Sequence, residues 1–217
     1  MLKPRSAPRG FNLIEIMISL VVLGVLISLG APGFAEWLQN QQIRAAAEAT
    51  LNGLQVARAE AVRQNTPVRF QLVSDLTTNC VLSTDSITAP VSVSWVVSLA
   101  DPTSNCDGAT LAPPGLILQS RSSAEGSPNA QATSVFLPPL PAAQNPVAAS
   151  TVTFAALGNV VPNADATASI VKIDVTNTKI PASAARPLRI IVTSGGSTRM
   201  CDPALAVTDP RGCPAWP

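Results

Sequence analysis

The side chain that stands out for chemistry is Glu15, a carboxylate at the start of a long apolar stretch. Lys3, Arg5 and Arg9 precede it with no acid to offset them, and from Ile16 to Ala35 there is no charge. A carboxylate at the end of a membrane helix is expensive and usually functional. The second chemical set is four cysteines, Cys80, Cys106, Cys201 and Cys213. They allow three pairings. Proximity in the chain favours Cys80–Cys106 and Cys201–Cys213, and the latter would staple a tail rich in Pro and Gly. No pair has Cys-x-x-Cys spacing, and a chain with no His would need all four thiolates to hold zinc. The absence of His also removes Ser-His-Asp and Cys-His nucleophiles. With no Gly-rich phosphate loop, no Gly-x-Ser-x-Gly and no clustered carboxylates, neither an enzyme nor a cofactor nor a metal site is expected.

The elements that must position these groups follow from composition and periodicity. Of the 217 residues 47% are hydrophobic and 12% charged, so the chain can bury a core and is not a disordered polyelectrolyte. A net charge of +1 gives no global case for an acidic partner. The charge-free run of about 20 residues reaches ~30 Å as a helix, the thickness of a bilayer's hydrocarbon core. Its basic flank keeps the N-terminus in the cytoplasm and places the rest outside. Gly24, Gly30, Pro32 and Gly33 interrupt it, and Pro32 predicts a kink or local melt near the membrane exit. Beyond it, Ile43, Ala47, Leu51, Leu54, Ala57 and Ala61 recur three and four apart, an apolar stripe on a helix that Asn65-Thr66-Pro67 stops. Arg44 and Glu48 pair on its exposed face.

From Val68 onward the pattern is β. Strands are predicted at 68–73, 91–97, 116–118, 134–137, 151–154, 170–175 and 188–192, separated by Pro, Gly, Asn and Ser. The proline-rich run 138–146 reads as an exposed loop. The fold class is therefore α+β, one long N-terminal helix on a C-terminal antiparallel β domain.

Three readings of the N-terminus compete. One is a secretory signal cleaved after Gly33-Phe34-Ala35. Another is a plain uncleaved anchor, with Glu15 snorkelling to the headgroups. The third rests on Gly10-Phe11-Asn12-Leu13-Ile14-Glu15. A short basic leader ending in Gly, then Phe, then an acid five residues into the mature chain, resembles the class III leader of type IV pilins and type II secretion pseudopilins. That resemblance implies that a prepilin peptidase cuts between Gly10 and Phe11 and N-methylates Phe11. It also implies that Glu15 pairs with the free amine of a neighbouring subunit in the filament core. Pilin helices also often carry a Pro at about the depth of Pro32.

The resemblance continues. The segment 57–68, Trp95-Val96-Val97 with Asp101, Phe154-Ala155-Ala156-Leu157-Gly158 and the Arg189–Cys201 segment are similar to the GspH/FimT family of minor pilins and pseudopilins. The implied organisation is a cleaved leader at 1–10, a filament-core or membrane helix at 11–35, an amphipathic half at 36–65 and a β-rich pilin domain at 66–217. The implied partners are other pilin subunits, the prepilin peptidase and, before assembly, the inner membrane. An exported domain lies in an oxidising compartment, where all four cysteines form disulfides. The leading expectation is a minor pilin of a type IV pilus, with a structural and assembly role near the tip. A type II secretion pseudopilin is the alternative. DNA-uptake members of the family carry Gly-Arg-x-Arg after the last strand. Here Gly196-Ser197-Thr198-Arg199 keeps only Arg199, so DNA contact through Arg199 is a secondary expectation.

Overall fold

The computed structural model describes residues 12–83, 91–102, 104–108, 116–136 and 147–214. The leader with Gly10 and Phe11, and the proline-rich run 138–146, lie outside the described residues. The chain divides into two compact units, Met1–Leu38 and Gln39–Pro217. The second unit therefore takes in the amphipathic helix half together with the β strands.

Helix α1 runs over Leu13–Gln64. Asn12 caps it, its Oδ1 accepting from the Ile14 N–H at 3.4 Å. Helical backbone continues without a break through position 32, so no melt interrupts it there. Pro32 still lacks an N–H, and the helix is one hydrogen bond weaker at that turn. Asn65, at φ 52°, turns the chain out of the helix immediately before Thr66-Pro67.

Every strand pairing is antiparallel among the described residues. The strands are β1 (Val68–Val73), β2 (Val91–Ser92), β3 (Ser94–Ser98), β4 (Ile117–Arg121), β5 (Ala130–Phe136), β6 (Val147–Ala148), β7 (Thr151–Phe154), β8 (Val160–Val161), β9 (Lys172–Asn177), β10 (Leu188–Val192) and β11 (Thr198–Cys201). One sheet has the order β4-β3-β1-β7-β8, the other β11-β10-β9-β5-β2, with β6 on β5. The single strand expected over 91–97 is two, one in each sheet. Its corner is held by hydroxyls: Ser94 N–H donates to Ser92 Oγ at 3.1 Å and Ser123 N–H to Ser94 Oγ at 3.0 Å. These bonds replace the ladder partners lost where the chain changes sheets.

One core joins the helix stripe to both sheets. Ile43, Ala47, Leu54, Ala57 and Ala61 meet Phe70, Trp95, Val152 and Phe154 of the first sheet and Ile173, Val175 and Ile190 of the second. Small residues set the approach. A Cβ on Gly53 would lie 2.9 Å from Phe70 and 3.0 Å from Trp95, so only Gly lets α1 seat on those rings. The far face of the first sheet is covered too. Val73 and Val96 pack under Cys80, Cys106, Leu76 and Leu82, a loop layer stapled by the Cys80–Cys106 disulfide.

Candidate functional site

Between Leu13 and Leu38 no described side chain is buried. Large apolar residues from Leu13 (73% exposed) to Leu29 (74%) cover every side of the rod. A helix apolar all round is normally enclosed by lipid or by other helices. Glu15 sits in its first turn, where the helix dipole favours a negative charge. Its backbone N–H donates to Asn12 O at 3.0 Å, and its carbonyl accepts from Ser19 Oγ at 2.7 Å. The carboxylate itself lies on the exposed surface of this end of the helix.

In the second unit, three amides within four positions of α1, Gln39, Asn40 and Gln42, tie the helix to distant parts of the chain. Gln39 Oε1 accepts from Asn177 Nδ2 at 2.8 Å and from Asn129 Nδ2 at 3.2 Å. Gln42 Oε1 accepts from the Asn129 N–H at 3.1 Å. Asn40 donates to Ala184 O at 3.0 Å and accepts from the Arg186 N–H at 2.8 Å. The other end of the helix is fixed by Arg58, whose Nε donates to Gly158 O at 2.9 Å. Gly158 (φ 76°) and Gly196 (φ 77°) both occupy the left-handed region. A Cβ on Gly196 would overlap the Gly158 carbonyl. The two turns therefore touch backbone to backbone, and Val160 N–H bonds Ser194 O at 2.9 Å across the sheets.

The C-terminal segment is built around Cys201–Cys213, whose Cα atoms are 5.0 Å apart. Cys80 is bonded to Cys106 and no described cysteine is free. Gly196 lies in a turn, but Thr198–Cys201 is the last strand rather than the segment after it, so Arg199 lies within β11. Its Nη2 donates to Pro210 O at 2.7 Å and Gly212 O at 3.2 Å, which folds the tail back along the strand. Arg189 is engaged by Asp174 at 2.6 Å, with Lys172 3.3 Å from the same carboxylate. Arg211 meets Asp209, whose carboxyl is held below its usual range by the Arg211 N–H and side chain. Of the four arginines near this end, Arg189, Arg199 and Arg211 have guanidiniums bound to a carboxylate or to the tail, and the backbone N–H of Arg186 donates to Asn40.

Sequence reasoning missed Gly53 and the amides Gln39, Asn40 and Gln42. Gly53 carries a signal, a glycine in the middle of an otherwise Ala-rich stripe. The amides carry none, because their partners lie 87–146 positions away.

Two crystal structures of the type IV minor pilin FimU from Pseudomonas aeruginosa are similar to this chain. One is 17% identical with a TM-score of 0.40, over 72% of this chain and 90% of FimU. The second crystal form gives 16% and 0.39, over 76% and 91%. No curated protein matches the chain significantly. The family model for the type II transport protein GspH matches residues 46–196, which runs from the buried half of α1 to the Gly196 turn. That span is most of the chain, and the protein belongs to the GspH family.

Proposed function

We propose that the protein is a minor pilin of a type IV pilus, a structural subunit that enters the filament through the first half of α1. The observation that carries this reading is the apolar rod of residues 13–38, none of whose described side chains is buried, with a carboxylate in its first turn. Cleavage between Gly10 and Phe11 would leave an N-methylated amine four residues before Glu15. In a bundle of such helices that ammonium and the Glu15 carboxylate of a neighbour neutralise each other, which removes the cost of burying either alone. Before assembly the same rod anchors the chain in the inner membrane, with the β domain on the far side.

The test is the N-terminal residue of the mature protein, read by mass spectrometry. N-methyl-Phe11 is expected. A terminus at Glu36 would establish a conventional signal peptide and sink the reading. A second reading, a type II secretion pseudopilin, is favoured by the description of the matching family. Deletion of the gene separates the two: loss of sheared surface pili supports the first, and loss of protein secretion with pili intact supports the second.

A further inference from the structure

The rod between Glu15 and Glu36 ends in an aromatic pair rather than in more Leu and Ile. Phe34 and Trp37, three positions apart on one helix face, stack with ring centroids 5.7 Å apart and planes 27° from parallel. They are 61% and 53% exposed. Side chains on a helix lean over the turn N-terminal to their own Cα. For Phe34 and Trp37, the residues four positions back are Gly30 and Gly33, and a Cβ built on either would touch nothing. The helix surface beside the rings is therefore bare. Among the described residues the pair is left more than half exposed.

Length fixes where this pair lies in a bilayer. Glu15 and Glu36 bracket the charge-free run, and at ~1.5 Å per residue the helix between them is about 30 Å long, equal to the hydrocarbon core. With Glu15 at one boundary, Phe34 falls at the inner edge of the other and Trp37 just beyond it. Aromatic rings with a polar edge are favoured at that depth, where the ring meets acyl chain and the indole N–H meets headgroups.

We propose that Phe34 and Trp37 form an interfacial anchor that seats in the headgroup layer of a phospholipid bilayer and sets the depth of α1 before assembly. The proposal rests on the membrane-anchor reading of the rod. It identifies the partner of this patch as a lipid surface rather than a second subunit. Leu and Ile at the same positions would hold the helix in lipid without fixing its depth, since they have no preference for the boundary over the interior.

The experiment uses the full chain in vesicles of phosphatidylethanolamine and phosphatidylglycerol, with acyl chains brominated either near the glycerol or near the methyl end. The Trp37 signal is the emission that disappears in Trp37→Phe, which leaves the other two tryptophans, Trp95 and Trp216, in both samples. Shallow bromines are expected to quench it about twofold more than deep ones, with little effect of aqueous iodide. Stronger quenching by the deep bromines, or quenching by iodide alone, in a chain that floats with the vesicles overturns the proposal and leaves the membrane anchor standing. A chain that fails to float with vesicles sinks the anchor and the proposal together. Equal depth in wild type and in Phe34→Leu/Trp37→Leu, read from a fluorophore on Gly33→Cys, would also overturn it.

Discussion

Helix α1 has two halves that each present an apolar surface, all round in the first and on one face in the second, and these surfaces differ in the size of their side chains. Residues 13–38 carry Leu, Ile and Val on all sides and bury none of them. Residues 39–64 carry Ala46, Ala47, Ala57, Ala61 and Gly53 on one face, and that face is buried against two sheets. Small residues allow a helix to approach a flat sheet until backbone and rings touch, which a chain can do with its own strands. Large residues spread around a rod meet no such surface among the described residues, and a helix of that kind is normally enclosed by lipid or by other helices. Side-chain volume on the apolar face, together with the polar face that only the second half carries, separates the two halves.

The largest effect is expected at Glu15, which separates the halves functionally. Glu15→Ala removes a carboxylate that membrane insertion does not need, since the apolar run drives insertion. In the proposed filament it would leave the neighbour's ammonium buried without a partner, at a cost of ~3–5 kcal/mol. Association should weaken by about two or more orders of magnitude. Processed protein should remain at wild-type level in the inner membrane and be nearly absent from sheared pili. Wild-type abundance in filaments would show that the subunit is held through its β domain instead.

Next comes the layer over the far side of the first sheet. Cys80→Ser with Cys106→Ser opens a cross-link between residues 26 apart. Loss of a closure of that size lowers domain stability by ~3–4 kcal/mol. Chemical denaturation should show it, while vesicle flotation, which depends on residues 13–38, should not change. A variant that denatures like wild type would mean that Val73 and Val96 are held without the staple.

A smaller effect, and a sharper test of the size argument, is Gly53→Val. The added Cβ would lie 2.9 Å from Phe70, closer than real side chains come, and 3.0 Å from Trp95, so the rings must shift. Overpacking of this kind costs ~1–3 kcal/mol. Gly30→Val, in the exposed half where a Cβ meets nothing, should leave denaturation of the β domain unchanged. Equal loss from both would remove the distinction between the halves.

How much of this was legible in the sequence depended on the range of each signal. Long-period patterns were readable: the helix end at Gln64, and β1, β7 and β10, have the expected bounds. The cysteine pairing favoured by proximity is the one present. Two-residue strands were not readable, because β6 and β8 are too short to show alternation and exist only through their partners β5 and β7. Strand β5 begins at Ala130, four residues before the expected start, since Ala130-Gln131-Ala132 pairs with β9 without β-branched residues to mark it. Arg199 illustrates a harder limit. Its side chain is bound by carbonyls of Pro210 and Gly212, and no local pattern reveals that a cation will be used by the tail that follows it.

The smallest expected effect lies wholly in the buried unit and concerns pH. Asp165 stands at the loop that follows β8, where Asn163, itself buried, donates to Thr151 O at 3.4 Å and Ala168 O at 3.3 Å. Burial works against the charged carboxylate of Asp165. The Thr167 hydroxyl at 2.6 Å, the Thr167 N–H at 3.0 Å and the Arg69 guanidinium at 3.7 Å outweigh it, and the carboxyl is held below its usual range. A depressed native pKa means that the unfolded chain binds the proton more readily. The stabilisation is then complete above the unfolded value of about 3.9 and is lost as pH falls below it through the native value. Asp165→Asn keeps an oxygen that can accept from Thr167 but has no charge for Arg69. It should cost ~0.5–1 kcal/mol at neutral pH, the range of a partly exposed ion pair. The gap between wild type and variant should begin to narrow as the pH falls below about 3.9, the unfolded carboxylate's pKa, and close only below the depressed native value. Urea denaturation of both proteins across that range checks it. A gap that persisted at the acid end would assign the loss to altered loop geometry rather than to charge. A gap absent at neutral pH would mean that Arg69, only 12% exposed, is held by its place in β1 and gains nothing from the carboxylate beside it.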